Sequence, residues 1–247
     1  MKARVLQTDI SWGDASGNIE RVRKMLEPGA DLYLLPEMWS SGFTMEPEKY
    51  AEPSPGKALS FMKESAARLD AAVAGSVAVR EDGKYRNRFY FVKPDGSTIY
   101  YDKHHLFTYS GEDRHYAAGE DRVTVEWRGV RFRLTVCYDL RFPVWCRNRG
   151  DYDVMLCVAS WPEPRIEAWR TLLKARAIEN QCYVVACNRV GDDPSCHYVG
   201  GSAIIDAYGN SLTQETDKEY IFEQEIDLEN LMEFRRKFPV LSDSDFI

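Results

Sequence analysis

No stretch of this 247-residue chain reaches the roughly 18 consecutive apolar residues that a membrane-spanning helix needs. The opening Met-Lys-Ala-Arg-Val-Leu-Gln-Thr-Asp is too polar for a secretory signal, so a cytoplasmic protein without membrane contact is expected. Positive charge is also in short supply. Lys and Arg number 32 against 39 Asp and Glu, a formal net charge of −7, which excludes a broad attraction for nucleic acid or an anionic bilayer. Repeats, low-complexity tracts and composition shifts are missing, so a single domain over 1–247 is expected. The six cysteines include no CxxC pair and are scattered through strand-like segments, which argues for reduced thiols rather than a disulfide framework. Histidine is scarce, with four in all. Neither His104-His105 nor Cys196-His197 has metal-ligand spacing, and no metal or cofactor is expected.

What the chain does contain is organised around Arg131–Pro143. Arg131, Arg133 and Thr135 alternate with Phe132, Leu134 and Val136, the period of a half-buried strand, and the alternation stops at Cys137. Tyr-Asp-Leu-Arg-Phe-Pro then reads as a turn, with Pro143 opening a short helix that Gly150 closes. A cysteine on such a turn is exposed beside backbone N–H groups that can hold an oxyanion, and a nearby helix end favours thiolate. Cysteine is more often a small buried hydrophobe. Two residues at other strand ends shift the balance.

Glu37 follows the apolar run 31–35 and Pro36, and its flank Met38-Trp39-Ser40-Ser41-Gly42-Phe43 suits a pocket wall better than a solvated turn. Lys103 closes the run Thr98–Tyr101, between the aromatic pair Tyr100-Tyr101 and the apolar pair Leu106-Phe107. Lysine at a strand end is ordinarily solvated. Beside a cysteine it would lower the thiol pKa and bind an oxyanion. The following stretch, 108–120, lacks apolar periodicity and reads as a long loop carrying Glu112, the kind that often covers an active site.

Elsewhere, helices are predicted at 18–27, 55–69, 164–180 and 228–238, the third with an inward stripe of Ile166, Trp169, Leu172, Leu173 and Ile178. Strands are predicted at 3–10, 31–35, 71–80, 85–93, 98–101, 123–127, 131–136, 153–159, 182–187, 203–206 and 219–227. Strand and helix alternate, with hairpins between, in two halves. That order calls for mixed sheets covered by helices, with the three polar residues at strand exits, where open α/β sheets bind ligands. The tail 239–247 ends on apolar Phe246-Ile247, which suggests packing against something, such as a partner subunit.

Glu37 after Leu-Leu-Pro, Lys103 in Tyr-Asp-Lys-His-His-Leu-Phe and Cys137 in Val-Cys-Tyr-Asp-Leu-Arg-Phe-Pro together resemble the nitrilase superfamily of carbon-nitrogen hydrolases. Ala-Arg-Ala-Ile-Glu-Asn-Gln (175–181), Cys-Asn-Arg-Val-Gly (187–191) and Gly-Gly-Ser-Ala-Ile-Ile-Asp-Ala-Tyr-Gly (200–209) match in the same order. The text from Cys137 to Trp145, with Ser-Trp-Pro-Glu-Pro-Arg further on, looks most like the bacterial omega-amidase branch. The resemblance implies an α/β fold, a four-layer α-β-β-α sandwich of two mixed sheets. It implies homodimers assembled through the long helices and the tail 239–247, or a higher homo-oligomer built from them. It also implies a Glu37-Lys103-Cys137 triad with Glu112 as a second glutamate.

On that basis Glu37 is the expected base, Cys137 the nucleophile, and Lys103 with the Tyr138 backbone N–H the oxyanion holders. The expected substrate is a small-molecule amide, a monoamide of a dicarboxylic acid such as 2-oxoglutaramate, 2-oxosuccinamate or succinamate. Two carboxylates and one ammonium leave the site at −1, so an anionic substrate needs an arginine. Arg165 is the candidate, with Trp161 and Phe43 as walls, while Arg141 is read as a buttress of the turn after Cys137. The same triad can serve nitrile, N-carbamoyl or ureido substrates. A non-catalytic binding scaffold is the reading from outside enzymology.

Overall fold

A computed structural model describes residues 1–243; the terminal Phe246-Ile247 lies outside the described residues. Among these, a seven-stranded mixed sheet is built on Lys2–Gln7, Leu32–Leu34 and Ala72–Glu81, which run parallel. Tyr220–Glu225 pairs antiparallel beside the first strand. Lys84–Val92 and Thr98–Asp102 extend the other edge as antiparallel ribbons. A five-stranded sheet runs Ala203–Ile205, Tyr183–Asn188, Val154–Ala159, Val130–Val136, Thr124–Trp127, with its three central strands parallel.

The period of two along each strand decides the layering. Val5, Leu34, Ala74, Phe89 and Phe91 of the first sheet meet Phe132, Leu134, Val136, Leu156 and Val185 of the second in one continuous core. The alternate residues of the first sheet, among them Leu6, Tyr33, Leu35 and Val73, bury helices Ala15–Met25 and Lys57–Leu69. The outer face of the second sheet, with Met155, Cys157, Val184 and Ala186, covers helix Ile166–Glu179. The result is the four-layer α-β-β-α sandwich.

Three expectations need correction. The stretch 108–120 contains two tight helical turns, Thr108–Ser110 and Glu112–Arg114, where the amide of Gly111, in a left-handed conformation, closes the first. The helix from Pro143 stops at Cys146 rather than near Gly150. Asn148 competes with it: its side-chain oxygen accepts from Gly150 N at 2.9 Å and Asp151 N at 3.2 Å, which replaces helical bonding with a side-chain turn. Ile178 is 53% exposed and does not join the inward stripe, which Trp169, Leu173 and Ala177 form with the aliphatic stem of Arg176. A short hairpin, Val190–Asp192 with His197–Val199, was not foreseen, because its three-residue strands are too brief for a periodic signal.

Candidate active site

Glu37, Lys103 and Cys137 leave three different strands at one end of the sandwich. Glu37 sits on the turn after Leu32–Leu34, where Pro36 ends the strand and Met38 takes a positive φ of 44°. That turn needs close approach. A Cβ on Gly75 of the neighbouring strand would lie 2.7 Å from Leu35 Cβ, so glycine there lets the turn seat. Cys137 likewise has a positive φ, 47°, unusual for a residue with a side chain. It opens a helical turn, Cys137–Arg141. Asp139 holds that elbow: one carboxylate oxygen accepts from Val136 N at 3.0 Å and Tyr101 OH at 2.7 Å, the other from His105 N at 3.0 Å. One buried carboxylate therefore ties the cysteine turn to the segment that delivers Lys103.

The Lys103 side chain is wholly buried and held between two carboxylates. Its Nζ donates to Glu37 Oε1 at 2.9 Å and to both oxygens of Glu112, at 3.1 and 2.8 Å. Glu112, expected only from its place in the loop, is thus brought fully into the cluster. Phe107 N donates to it at 2.6 Å, and Ser160 N donates to the outer oxygen of Glu37 at 2.8 Å. Burial opposes the lysine charge, but Glu112 and then Glu37 outweigh it, and the Lys103 pKa is pushed up. The residue remains an ammonium. Burial raises the Glu112 carboxyl; Lys103 pulls it back and the charge of Glu37 lifts it again, for a net rise.

The cysteine departs from expectation. Burial first, then the negative charge of Glu37, push the Cys137 thiol well up, and Lys103 offsets only part of this. At rest it is a thiol facing a carboxylate rather than a thiolate facing an ammonium, so its nucleophilicity depends on a base.

Cys137 opens onto a cavity of about 410 Å³, the size of a small-molecule site. Phe43, Trp161 and Arg165 line it where they were expected; Tyr138, expected only through its backbone N–H, lines it as well, and so does Arg141, which the sequence assigns to the turn. The Arg141 guanidinium lies 4.9 Å from the Trp161 ring centre, and that of Arg165 5.3 Å from the Phe107 ring centre. Neither guanidinium has a hydrogen bond or ion pair among the described residues. Phe43 packs 5.2 Å from Lys103 Nζ. The hairpin turn adds Ser195, Cys196 and Tyr198.

Sequence reasoning passed over two polar residues. Asn188 fixes the Trp161 backbone, accepting from its N–H at 2.7 Å and donating to its carbonyl at 2.9 Å. Asn87 donates to Glu37 at 2.8 Å and to Glu112 at 3.3 Å. Its signal was available: an asparagine in register with Phe89 and Phe91 points between the sheets.

A carboxylate, an ammonium and a thiol converge beside one cavity at the end of a two-sheet sandwich, a set of groups suited to a hydrolase, and the comparisons give the family. The chain belongs to the carbon-nitrogen hydrolase family, whose profile matches residues 2–236. It is 45% identical to the omega-amidase YafV of Yersinia enterocolitica over 99% of this chain and 97% of that protein. The 2-oxoglutaramate amidase of Bacillus subtilis is 38% identical over 96% of this chain and 95% of its own length. Among solved structures, XC1258 of Xanthomonas campestris, described as a CN-hydrolase superfamily protein with an arsenic adduct in its active site, superposes with a TM-score of 0.97. It shares 42% identity over 100% of this chain and 98% of that one. The protein is therefore a carbon-nitrogen hydrolase, an enzyme of the nitrilase superfamily.

Proposed function

We propose that this enzyme is an omega-amidase that converts a dicarboxylic acid monoamide, of the 2-oxoglutaramate, 2-oxosuccinamate or succinamate kind, to the diacid and ammonia. The observation that carries the reading is the pair of unpaired guanidiniums, Arg141 and Arg165, in the same cavity as Cys137. They answer the excess negative charge of the Glu37-Lys103-Glu112 cluster and supply a locus for the free carboxylate of the substrate. Its relatives named omega-amidase and 2-oxoglutaramate amidase support the same substrate class.

In the proposed sequence, Glu37 takes the Cys137 proton as sulfur bonds to the amide carbon. The carbonyl electron pair moves onto oxygen, where Lys103 Nζ and the Tyr138 N–H hold it. Glu37 passes the proton to nitrogen, the C–N bond breaks, ammonia leaves, and a thioester remains. Water then adds to the thioester with Glu37 again as base, the C–S bond breaks, and the thiolate recovers its proton. Glu112 keeps Lys103 charged throughout. Trp161 and Phe43 wall the substrate chain.

The single domain is assigned to 1–247, with the tail 239–247 at the interface of a homodimer working in the cytoplasm. Exposed Ile178, Tyr208, Met232 and Phe238 on and beside the last two helices support the dimer, as apolar surface that a second copy would cover. All six cysteines are free, which suits a reducing compartment.

The deciding experiment is ammonia release from 2-oxoglutaramate and succinamate by the native chain and by Cys137→Ala. Turnover by the native protein alone is expected. Release from a nitrile or an N-carbamoyl compound, with none from either monoamide, overturns the substrate assignment.

A further inference from the structure

Asn87 lies in the middle of Lys84–Val92 and is completely buried. One nitrogen, Nδ2, donates to Glu37 Oε1 at 2.8 Å and reaches Glu112 Oε1 at 3.3 Å. These are the same two oxygens that Lys103 Nζ contacts at 2.9 and 3.1 Å. The two carboxylates are therefore bridged twice, once by an ammonium and once by a neutral amide. The main chain of Asn87 takes part as well, since its carbonyl accepts from Lys103 N at 2.9 Å. Asn87 Oδ1 has no partner among the described residues. Turning the amide over would satisfy nothing and would aim that oxygen at two carboxylates, so charge fixes the orientation of the amide.

Two carboxylates this close in a buried site resist joint ionisation, and one lysine neutralises only one of them. An amide N–H is the donor that eases this repulsion without adding a second cation, which would hold Glu37 too tightly to let it accept a proton. We propose that Asn87 is a positioning residue for the amidase reaction: it holds the Glu37 and Glu112 carboxylates side by side on Lys103, with Glu37 presented to Cys137 and free of Glu112's proton. The proposal rests on the reading of Glu37 as the base. The titratable and charged groups facing that carboxylate are Lys103, Glu112, Cys137 and Tyr116. Lys103 and Glu112 are charged, and the Tyr116 hydroxyl donates to Thr44 O at 2.8 Å.

The test compares Asn87→Ala, Asn87→Asp and Glu37→Gln with the native chain. Ammonia release from succinamate and alkylation of Cys137 by iodoacetamide, read by intact mass, are each followed from pH 5 to 9. Without the donor the carboxylate pair takes up a proton more readily, so the acid limb of both profiles should move to higher pH in Asn87→Ala, with a loss of about tenfold or more in kcat near pH 6 and little change in KM. Asn87→Asp keeps the volume and loses the donor; it should fall below Asn87→Ala at neutral pH, whereas a space-filling role would place it above. A uniform loss with unmoved limbs, or Asn87→Asp outperforming Asn87→Ala, overturns the proposal. Should Asn87→Ala not fold, Asn87→Gln against Asn87→Asp carries the same contrast, since Gln keeps a donor and Asp does not. Glu37→Gln separates the two readings. If it retains native alkylation and turnover, Glu37 is not the base and the amidase mechanism itself fails; if it is inactive while Asn87→Ala is native, only the role of Asn87 falls.

Discussion

Lys103 Nζ and Glu37 Oε1 meet at 2.9 Å with both side chains wholly out of water, and Glu112 closes on the same ammonium at 2.8 Å. Three charges in a buried site depend on one another. Replacing Lys103 by Met should leave two carboxylates without their cation, a destabilisation of about 3–5 kcal/mol at neutral pH. The penalty should shrink on acidification, because Glu112, already shifted upward, takes a proton. Urea midpoints at pH 5 and 7.5 check this. The same variant should lose at least about 100-fold in kcat through the missing oxyanion donor.

Arg141 and Arg165 are the two partners proposed for the substrate carboxylate. Arg141 stands four residues beyond Cys137 and lies over Trp161; Arg165 comes from the turn entering the long helix. Each Arg→Ala change should raise KM for succinamate by about tenfold or more, the loss of a charge-assisted contact of about 1.5–3 kcal/mol, and leave butyramide nearly unaffected. Equal losses on the anionic and the neutral amide would remove that arginine from the carboxylate site. Two unpaired cations should also disfavour glutamine, whose ammonium group sits beside its carboxylate. Competition between glutamine and 2-oxoglutaramate measures that preference.

The fold and the three converging residues were legible because they rest on local signals. An apolar run ends at Leu35, a strand-like run at Tyr101 and a period-two run at Val136, and Glu37, Lys103 and Cys137 stand just beyond them. What stayed hidden depends on long-range neighbours. Arg141 looked like a buttress since nothing in Asp-Leu-Arg-Phe-Pro says which way the guanidinium turns; the cavity wall of Trp161, twenty residues on, decides it. The thiol was expected to be acidified by Lys103, but burial and Glu37 set the balance, and neither their strength nor their proximity is written in sequence spacing. Ile178 fits the helical stripe by spacing, yet it faces out beside Tyr208 and Gly209, whose turn returns from another strand.

Asp139 offers a check on the elbow. Asp139→Asn keeps the shape but loses one acceptor toward Val136 N, Tyr101 OH and His105 N. A buried donor left unmatched costs about 1–3 kcal/mol. The positive φ at Cys137 then loses its anchor. Stability should drop by that amount, and kcat should fall while KM for succinamate stays within about threefold. Thermal melts beside steady-state kinetics test both. A loss of stability with native kcat would show the elbow to be held by the strand alone.

Alkaline sensitivity follows from the thiols. Burial raises Cys137, Cys157 and Cys187, and pushes Cys146 and Cys182 up to about 12. An unfolded thiol ionises near about 8.5. Below that pH both states hold the proton and no stability depends on it. Above it the unfolded chain releases protons that the folded chain keeps, so unfolding is favoured, and stability falls as pH rises from about 8.5 toward 12 by up to about 1.4 kcal/mol per unit for each such thiol. Urea midpoints should therefore be flat from pH 7 to 8 and decline steeply by pH 10. Cys182→Ala, which creates only a small cavity, should flatten the decline by about one thiol's share while lowering the neutral-pH midpoint slightly. An unchanged slope in that variant would mean that Cys182 ionises alike in both states.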